Sequence, residues 1–172
     1  MIMRKLCLSA CMICLVLTSI QAQKKTPKVA VGYKGMAEAG MTFASEPEIA
    51  DYDFSTTHGY QVNPYLFLGV GMGYSMDSEG DYHSLPIYAA VRGNFPLGGR
   101  LFPFANARLG YSIDGLEGLY FNPGLGVSYM FSARLGLDFT LGYTLQKNTV
   151  SIWGSSITMS TNAFSFRVGL QF

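Results

Sequence analysis

The sequence predicts an all-β fold: eight antiparallel strands in up-and-down order, closed into a transmembrane β-barrel. Three observations carry this. Apolar residues alternate with small or polar ones over one stretch after another. Short turns alternate with longer polar connections, as a meander requires. Every charged residue inside an expected strand falls on the polar face.

Taken in order, Lys28 to Phe43 alternates weakly and forms the first strand, and Phe54 to Asn63 is a less regular second. Tyr65 to Met76, Ser84 to Phe95 and Leu101 to Ile113 alternate more cleanly. In Leu119 to Phe131, Leu119, Phe121, Leu125, Val127, Tyr129 and Phe131 oppose Tyr120, Asn122, Gly124, Gly126, Ser128 and Met130. Leu135 to Leu145 sets a wholly apolar face against Gly136, Asp138, Thr140, Gly142, Thr144 and Gln146. FSFRVGLQF, Phe164 to Phe172, is the last strand. Asn63-Pro64, Pro96 to Arg100 and Ser132-Ala133 are tight turns, whereas Ala44 to Asp53, Asp77 to His83, Asp114 to Gly118 and Lys147 to Ser160 are long loops. The alternation of the last loop does not stop cleanly, so it is open to continuing as strands above the membrane. Gly40-Met41-Thr42, Gly73-Tyr74-Ser75, Gly110-Tyr111-Ser112 and Gly142-Tyr143-Thr144 recur about 35 residues apart, each before a long loop, which makes the repeated unit a hairpin.

Charge placement decides which face meets solvent. Lys34, Glu38, Arg92, Arg108, Asp138 and Arg167 all share the glycine-rich parity. Eight strands enclose an interior just wide enough for side chains to fill, so the bulky apolar set belongs outside, against lipid. Closure follows, because an open sheet edge in hydrocarbon leaves peptide groups unpaired. Outward Tyr74, Tyr111 and Tyr143 at the loop end, with Tyr65, Phe95, Phe131 and Phe172 at the turn end, are expected to form two aromatic girdles.

Residues 1–22 are a different material: Arg4 and Lys5 precede an apolar core from Leu6 to Leu17, then a polar exit ends at Ala22. This reads as a secretory signal cut before Gln23, leaving residues 23–172 as the barrel. A lipoprotein signal around Cys11 is the rival reading, but few apolar residues precede that cysteine. The sequence's three cysteines, Cys7, Cys11 and Cys14, lie in this segment, so the mature chain has no disulfide framework or cysteine metal site. A formal net charge of +1 with 13% charged residues excludes a nucleic-acid partner by composition. A signal followed by a barrel implies the outer membrane of a gram-negative bacterium.

GYQVNPYLFLGVGMGYS, LPIYAAVRGNF, PFANARLGYSI, GLYFNPGLGVSYMF and FSFRVGLQF together resemble the small eight-stranded outer-membrane β-barrel family of the OmpX and OmpA transmembrane-domain type, over Lys28 to Phe172. The resemblance implies contact with outer-membrane lipid and lipopolysaccharide. It also implies one of several roles: adhesion, serum resistance or lipid A modification. Phe164, Phe166, Val168, Leu170 and Phe172 resemble the C-terminal signal by which the barrel assembly machinery recognises such chains for insertion.

Three constellations compete for function. The inward charges must pair, with Glu38 and Asp138 each taking one or two of Arg92, Arg108 and Arg167, and Lys34 nearer one mouth. Asp138 and Glu38 are the partners expected for Arg167. A plug of ion pairs is favoured over a gate or ion path. The acidic loops, with Glu46, Glu48, Asp51, Asp53, Asp77, Glu79, Asp81, Asp114 and Glu117, could take divalent cations or a basic partner. His58 and His83, both expected near the loop end, with Asp81 and Ser84, are the material for a lipid-hydrolysing site. The leading reading is a non-enzymatic surface protein without a cofactor, displaying acidic loops for a structural or adhesive role. Trp153 in the last loop is its best single contact. A lipid A-modifying enzyme and a minor pore are the alternatives.

Overall fold

The computed structural model describes residues 29–44, 50–77, 83–97, 99–115, 117–152 and 155–172. The expected signal segment, Glu46, Glu48, Glu79, Asp81 and Trp153 lie outside the described residues. Eight strands form one closed antiparallel barrel in sequence order. They are β1 (Gly32–Ala44), β2 (Ala50–Asn63), β3 (Leu66–Asp77), β4 (His83–Asn94), β5 (Leu101–Gly115), β6 (Gly118–Met130), β7 (Gly136–Ile152) and β8 (Ser155–Gln171). Closure runs past the last strand residue: Gly35 N–H donates to Phe172 O at 2.8 Å and Phe172 N–H to Gly35 O at 2.9 Å.

Burial is inverted relative to a water-soluble domain. Leu125 and Leu141 on the outer face are 68% and 66% exposed, while the inward Asp138 is 1% exposed. The girdle residues Tyr65, Phe95, Phe131 and Phe172 stand outward at the turn end, and Tyr74 and Tyr111 at the loop end. The lumen is less uniformly small and polar than the sequence suggests. Phe67, Phe102, Phe104, Tyr88 and Tyr120 are buried inside it, and they occupy room left by inward glycines. A Cβ on Gly126 would stand 2.3 Å from Phe104 Cζ, and one on Gly71 would stand 2.7 Å from Tyr88 Cε2.

Turns follow side-chain chemistry. At the β2–β3 turn the Asn63 Oδ1 accepts the N–H groups of Tyr65 (2.8 Å) and Leu66 (2.9 Å), closing an Asx-type turn ahead of β3. Ser132 Oγ accepts Leu135 N–H at 3.1 Å in the β6–β7 turn. β1 opens on Gly32, whose φ of 126 favours glycine. Ala30 N–H then reaches Ala133 O at 3.0 Å, and Val29 is buried with Phe102 and Met130 at the inner mouth.

Two loops differ from expectation. The first spans less chain than Ala44 to Asp53, because β2 begins at Ala50 and carries both Asp51 and Asp53. In place of a fourth loop, β7 and β8 pair on to Ile152↔Ser155. The physical reason is the unbroken alternation of that segment, which lets one ladder continue once it has begun.

Candidate functional site: a neutral, filled lumen and its outer rim

Among the described residues the buried charges are Lys34, Arg92, Arg108 and Arg167 against Glu38, Asp53, Asp77 and Asp138. The signs balance, as a low-dielectric interior requires. Three arginine–carboxylate pairs climb the lumen. At the inner end Arg92 Nη1 donates to Asp138 Oδ2 at 2.5 Å and Nη2 to Oδ1 at 3.3 Å. Asp138 Oδ1 also accepts from Ser128 Oγ (2.6 Å) and Gln171 Nε2 (3.1 Å). The Arg92 guanidinium lies 3.6 Å above the Phe104 ring, and its Nε donates to Asn94 Oδ1 at 2.9 Å. In the middle Arg108 Nη2 donates to Glu38, over the Tyr88 ring at 5.3 Å. Lys34 is buried at the inner mouth, beside Val29 and Phe172, as expected for a cation near one end.

Arg167 corrects the expectation. It pairs with Asp53 at 3.4 Å and donates Nη1 to Asn122 Oδ1 at 2.8 Å, and neither Asp138 nor Glu38 is its partner. The register supplies the reason. Glu38 and Asp138 both face Gly169, one inward position below Arg167. Asp53 pairs with Gly40, and Gly40 pairs with Arg167, so these three form one row. Gly40 points inward without a side chain, and a Cβ there would stand 2.6 Å from Arg167 Cγ. The glycine is therefore the gap through which the arginine reaches its acid. Asp53 also accepts from Thr42 and Ser75.

Asp53 is thus a lumen residue, 5% exposed, and not part of a recognition loop. Asp77 is likewise buried, at the end of β3. Both share parity with the small inward residues of their strands, Ser55 and Thr57 for one and Gly73 and Ser75 for the other, a signal the sequence already carries. Asp51 is half-buried one inward position above Asp53. Asp114 is exposed and lies 3.5 Å from His83 Nε2, and Glu117 is exposed just before β6.

The histidines do not assemble. His58 pairs in register with Gly35, the residue bonded to Phe172, so it stands in the inner half of the barrel and not near the loop end. It faces outward, its Nδ1 2.7 Å from Tyr33 Oη and its Nε2 2.9 Å from Thr56 Oγ1, which occupies both ring nitrogens. His83 faces outward at the other end, stacked on Tyr74 at 6.4 Å. Ser84 points inward, 2.8 Å from Ser112 Oγ; it and His83 both border the cavity under the outer rim, but the hydroxyl is engaged by Ser112 and Gln146 and the imidazole lies by Asp114 and Tyr74.

Packing leaves little space inside. The cavity between Arg92 and Arg108 holds about 10 Å³, and a larger one of about 60 Å³ lies under the outer rim among Asp51, Asp53, Asp77 and Arg167. Outside, Phe164, Phe166, Leu170 and Phe172 are exposed at one parity of β8, and Val168 is half-buried among them.

No curated protein sequence matches the chain significantly. Among solved structures it is similar to the crystal structure of Neisserial surface protein A, with a TM-score of 0.63 and 16% identity over 82% of this chain and 95% of that one. It is also similar to the N-terminal β-barrel domain of Pseudomonas aeruginosa OprF, with a TM-score of 0.52 and 17% identity over 83% and 100%. At these identities the likeness is one of fold. Residues 10–172 match the family model of the outer membrane protein β-barrel domain, and the chain belongs to that family, as a small eight-stranded barrel of the bacterial outer membrane.

Proposed function

We propose that this barrel is a non-enzymatic surface protein: a rigid, filled membrane anchor that holds its outer segments toward the exterior for a structural or adhesive role. The observation that carries the reading is the contrast between the filled lumen and the β7–β8 ribbon. Among the described residues, pairing of β6 with β7 ends at Gly118↔Asn148 and that of β1 with β8 at Ala44↔Ala163, whereas β7 and β8 continue together to Ile152↔Ser155. A two-stranded ribbon pairing beyond its neighbours offers backbone edges to a partner. The lumen pairs act as struts. Against the pore stands the small size of the lumen cavities, and against lipid A modification the distance of His58 from His83 and the engagement of Ser84 with Ser112 and Gln146. Insertion by the barrel assembly machinery through Phe164 to Phe172 fits their outward row beside the closing seam.

The test uses whole cells displaying the full chain or a variant in which 148–160 is replaced by a short turn. Loss of adhesion or of a captured surface ligand in the variant supports display. Equal binding by both removes the ribbon from the function. A lipid A mass spectrum altered by the wild type but not by H58F/H83F would establish the enzyme instead, and a stable large conductance in a planar bilayer would establish the pore.

A further inference from the structure

The lipid-facing side of β5–β8 carries a charge and a trough. Among the described residues Lys147 is the strand cation that faces outward; the buried cations all point into the lumen. It is exposed, and it takes part in none of the ion pairs described above. Lys147 follows the outward run Leu137, Phe139, Leu141, Tyr143 and Leu145 of β7. A tilted strand crosses hydrocarbon in about 9–11 residues, and β7 starts at Gly136. Lys147 therefore stands at the outer boundary of the apolar layer.

Below it the wall is recessed. Leu109, Phe121, Leu145 and Asn162 form one register row across β5, β6, β7 and β8, with Tyr111, Leu119 and Lys147 in the row above. The depression over Leu109, Leu119, Phe121 and Leu145 holds about 420 Å³. The next, of about 660 Å³, lies over Ala105, Pro123, Leu125, Leu141, Tyr143 and Phe166. Two features recess the surface there. Ala105 and Ala107 are small, and Pro123 has no N–H to donate, so the β6–β7 ladder skips from Phe121↔Leu145 to Gly124↔Gly142. Along β7 the trough runs from Lys147 to Leu141. At about 3.3 Å per residue and a tilt near 40° this is about 15 Å of depth, half of the roughly 30 Å hydrocarbon core.

We infer that this trough is a binding site for one phosphate-bearing lipid of the outer leaflet, with an acyl chain lying over Leu145, Pro123 and Leu141 and the headgroup phosphate against Lys147. The length matches a single leaflet, and the cation sits where the phosphates of that leaflet lie. Tyr111 and Asn162, both exposed beside Lys147, add an O–H and an amide at headgroup height. Glu117, exposed just before β6, is the opposing charge on this side and sets a limit on affinity. The inference goes beyond surface display and survives its failure, since it concerns the wall and not the ribbon.

The test is native mass spectrometry of the refolded full chain in micelles. It is titrated with a diphosphorylated outer-leaflet glycolipid, the same glycolipid after phosphate removal, or phosphatidylcholine. The wild type is expected to retain one phosphorylated glycolipid about fivefold more tightly than the dephosphorylated form, the share of one lysine near an anionic surface. K147Q loses that preference, K147R keeps it, E117Q keeps or strengthens it, and A105F, which fills the trough, weakens both glycolipids alike. Folding of each variant is read independently from its mobility shift on unheated gels. An undiminished preference in K147Q overturns the site. So does an equal loss in R100Q, at the opposite rim, or a mass of two chains in place of chain plus lipid that A105F abolishes.

Discussion

The two ends of the lumen hold their ion pairs differently. At the inner end Asp138 accepts from both Arg92 nitrogens, Ser128 and Gln171, and the guanidinium is covered by Phe104. Toward the outer rim Arg167 meets Asp53 at 3.4 Å, its Nε is without a partner among the described residues, and a cavity of about 60 Å³ adjoins it. Where the N-terminal segment and large side chains close the barrel, each charge is fully withdrawn from water and must be satisfied by protein groups alone. Where the barrel opens, water can share the task. The ion pairs are thus graded from a closely held one at the floor to a looser one in the outer half, although unpartnered amide atoms among the described residues, Gln61 Oε1, Asn94 Nδ2 and Gln171 Oε1, lie at the floor as well.

The largest expected effect tests the floor. Asp138→Ala leaves Arg92 buried without its acid and should cost about 3–5 kcal/mol, read as a lowered urea midpoint in micelles. Replacing both partners, R92M with D138L, should recover most of that loss, since no charge is then stranded. Next comes the row that connects the halves. Gly40→Val brings a side chain against Phe166 O, which a Cβ would approach to 2.2 Å, and against Arg167. Overpacking there should cost about 1–3 kcal/mol, and R167A should relieve part of it, giving a measurable coupling in a double-mutant cycle. Asp53→Asn should cost less than the loss at Asp138, about 1–2 kcal/mol, because the amide oxygen still accepts from Thr42 and its NH2 can donate to the Ser75 hydroxyl. An equal cost at the two acids would remove the gradient. The smallest effect is at the rim: Asp114→Asn, whose partner His83 is exposed, should change stability by about 0–1 kcal/mol and lose even that at high salt.

The face of each strand charge was legible in the sequence, and its height along the barrel was not. That Glu38 and Asp138 meet lumen arginines follows from parity and the need to pair buried charge; that Asp138 takes Arg92 and Glu38 takes Arg108 does not. Asp53 reads as loop because the polar run before Phe54 resembles a connection; its parity with Ser55 and Thr57 points inward, and the ladder with Gly40 shows that the strand reaches far enough for that parity to hold. His58 reads as a loop-end residue for the same reason, since the limits of the irregular second strand cannot be counted from alternation alone. The ribbon beyond Lys147 reads equally as loop or strand, because the alternation of Thr149 to Thr158 fits both until β8 is there to pair with it.

By itself the sequence determined the wall: period two sorts each strand into a lipid face and a lumen face, and closure follows because no open edge can stand in hydrocarbon. Which charges meet across the lumen was decided only by the tertiary structure. Parity says that a side chain points inward, but the stagger of neighbouring strands sets its height. Contact between side chains on strands far apart depends on that height and on what lies between. Arg167 is level with Asp53 and above Asp138 because of register, and it reaches Asp53 because the residue between them is Gly40.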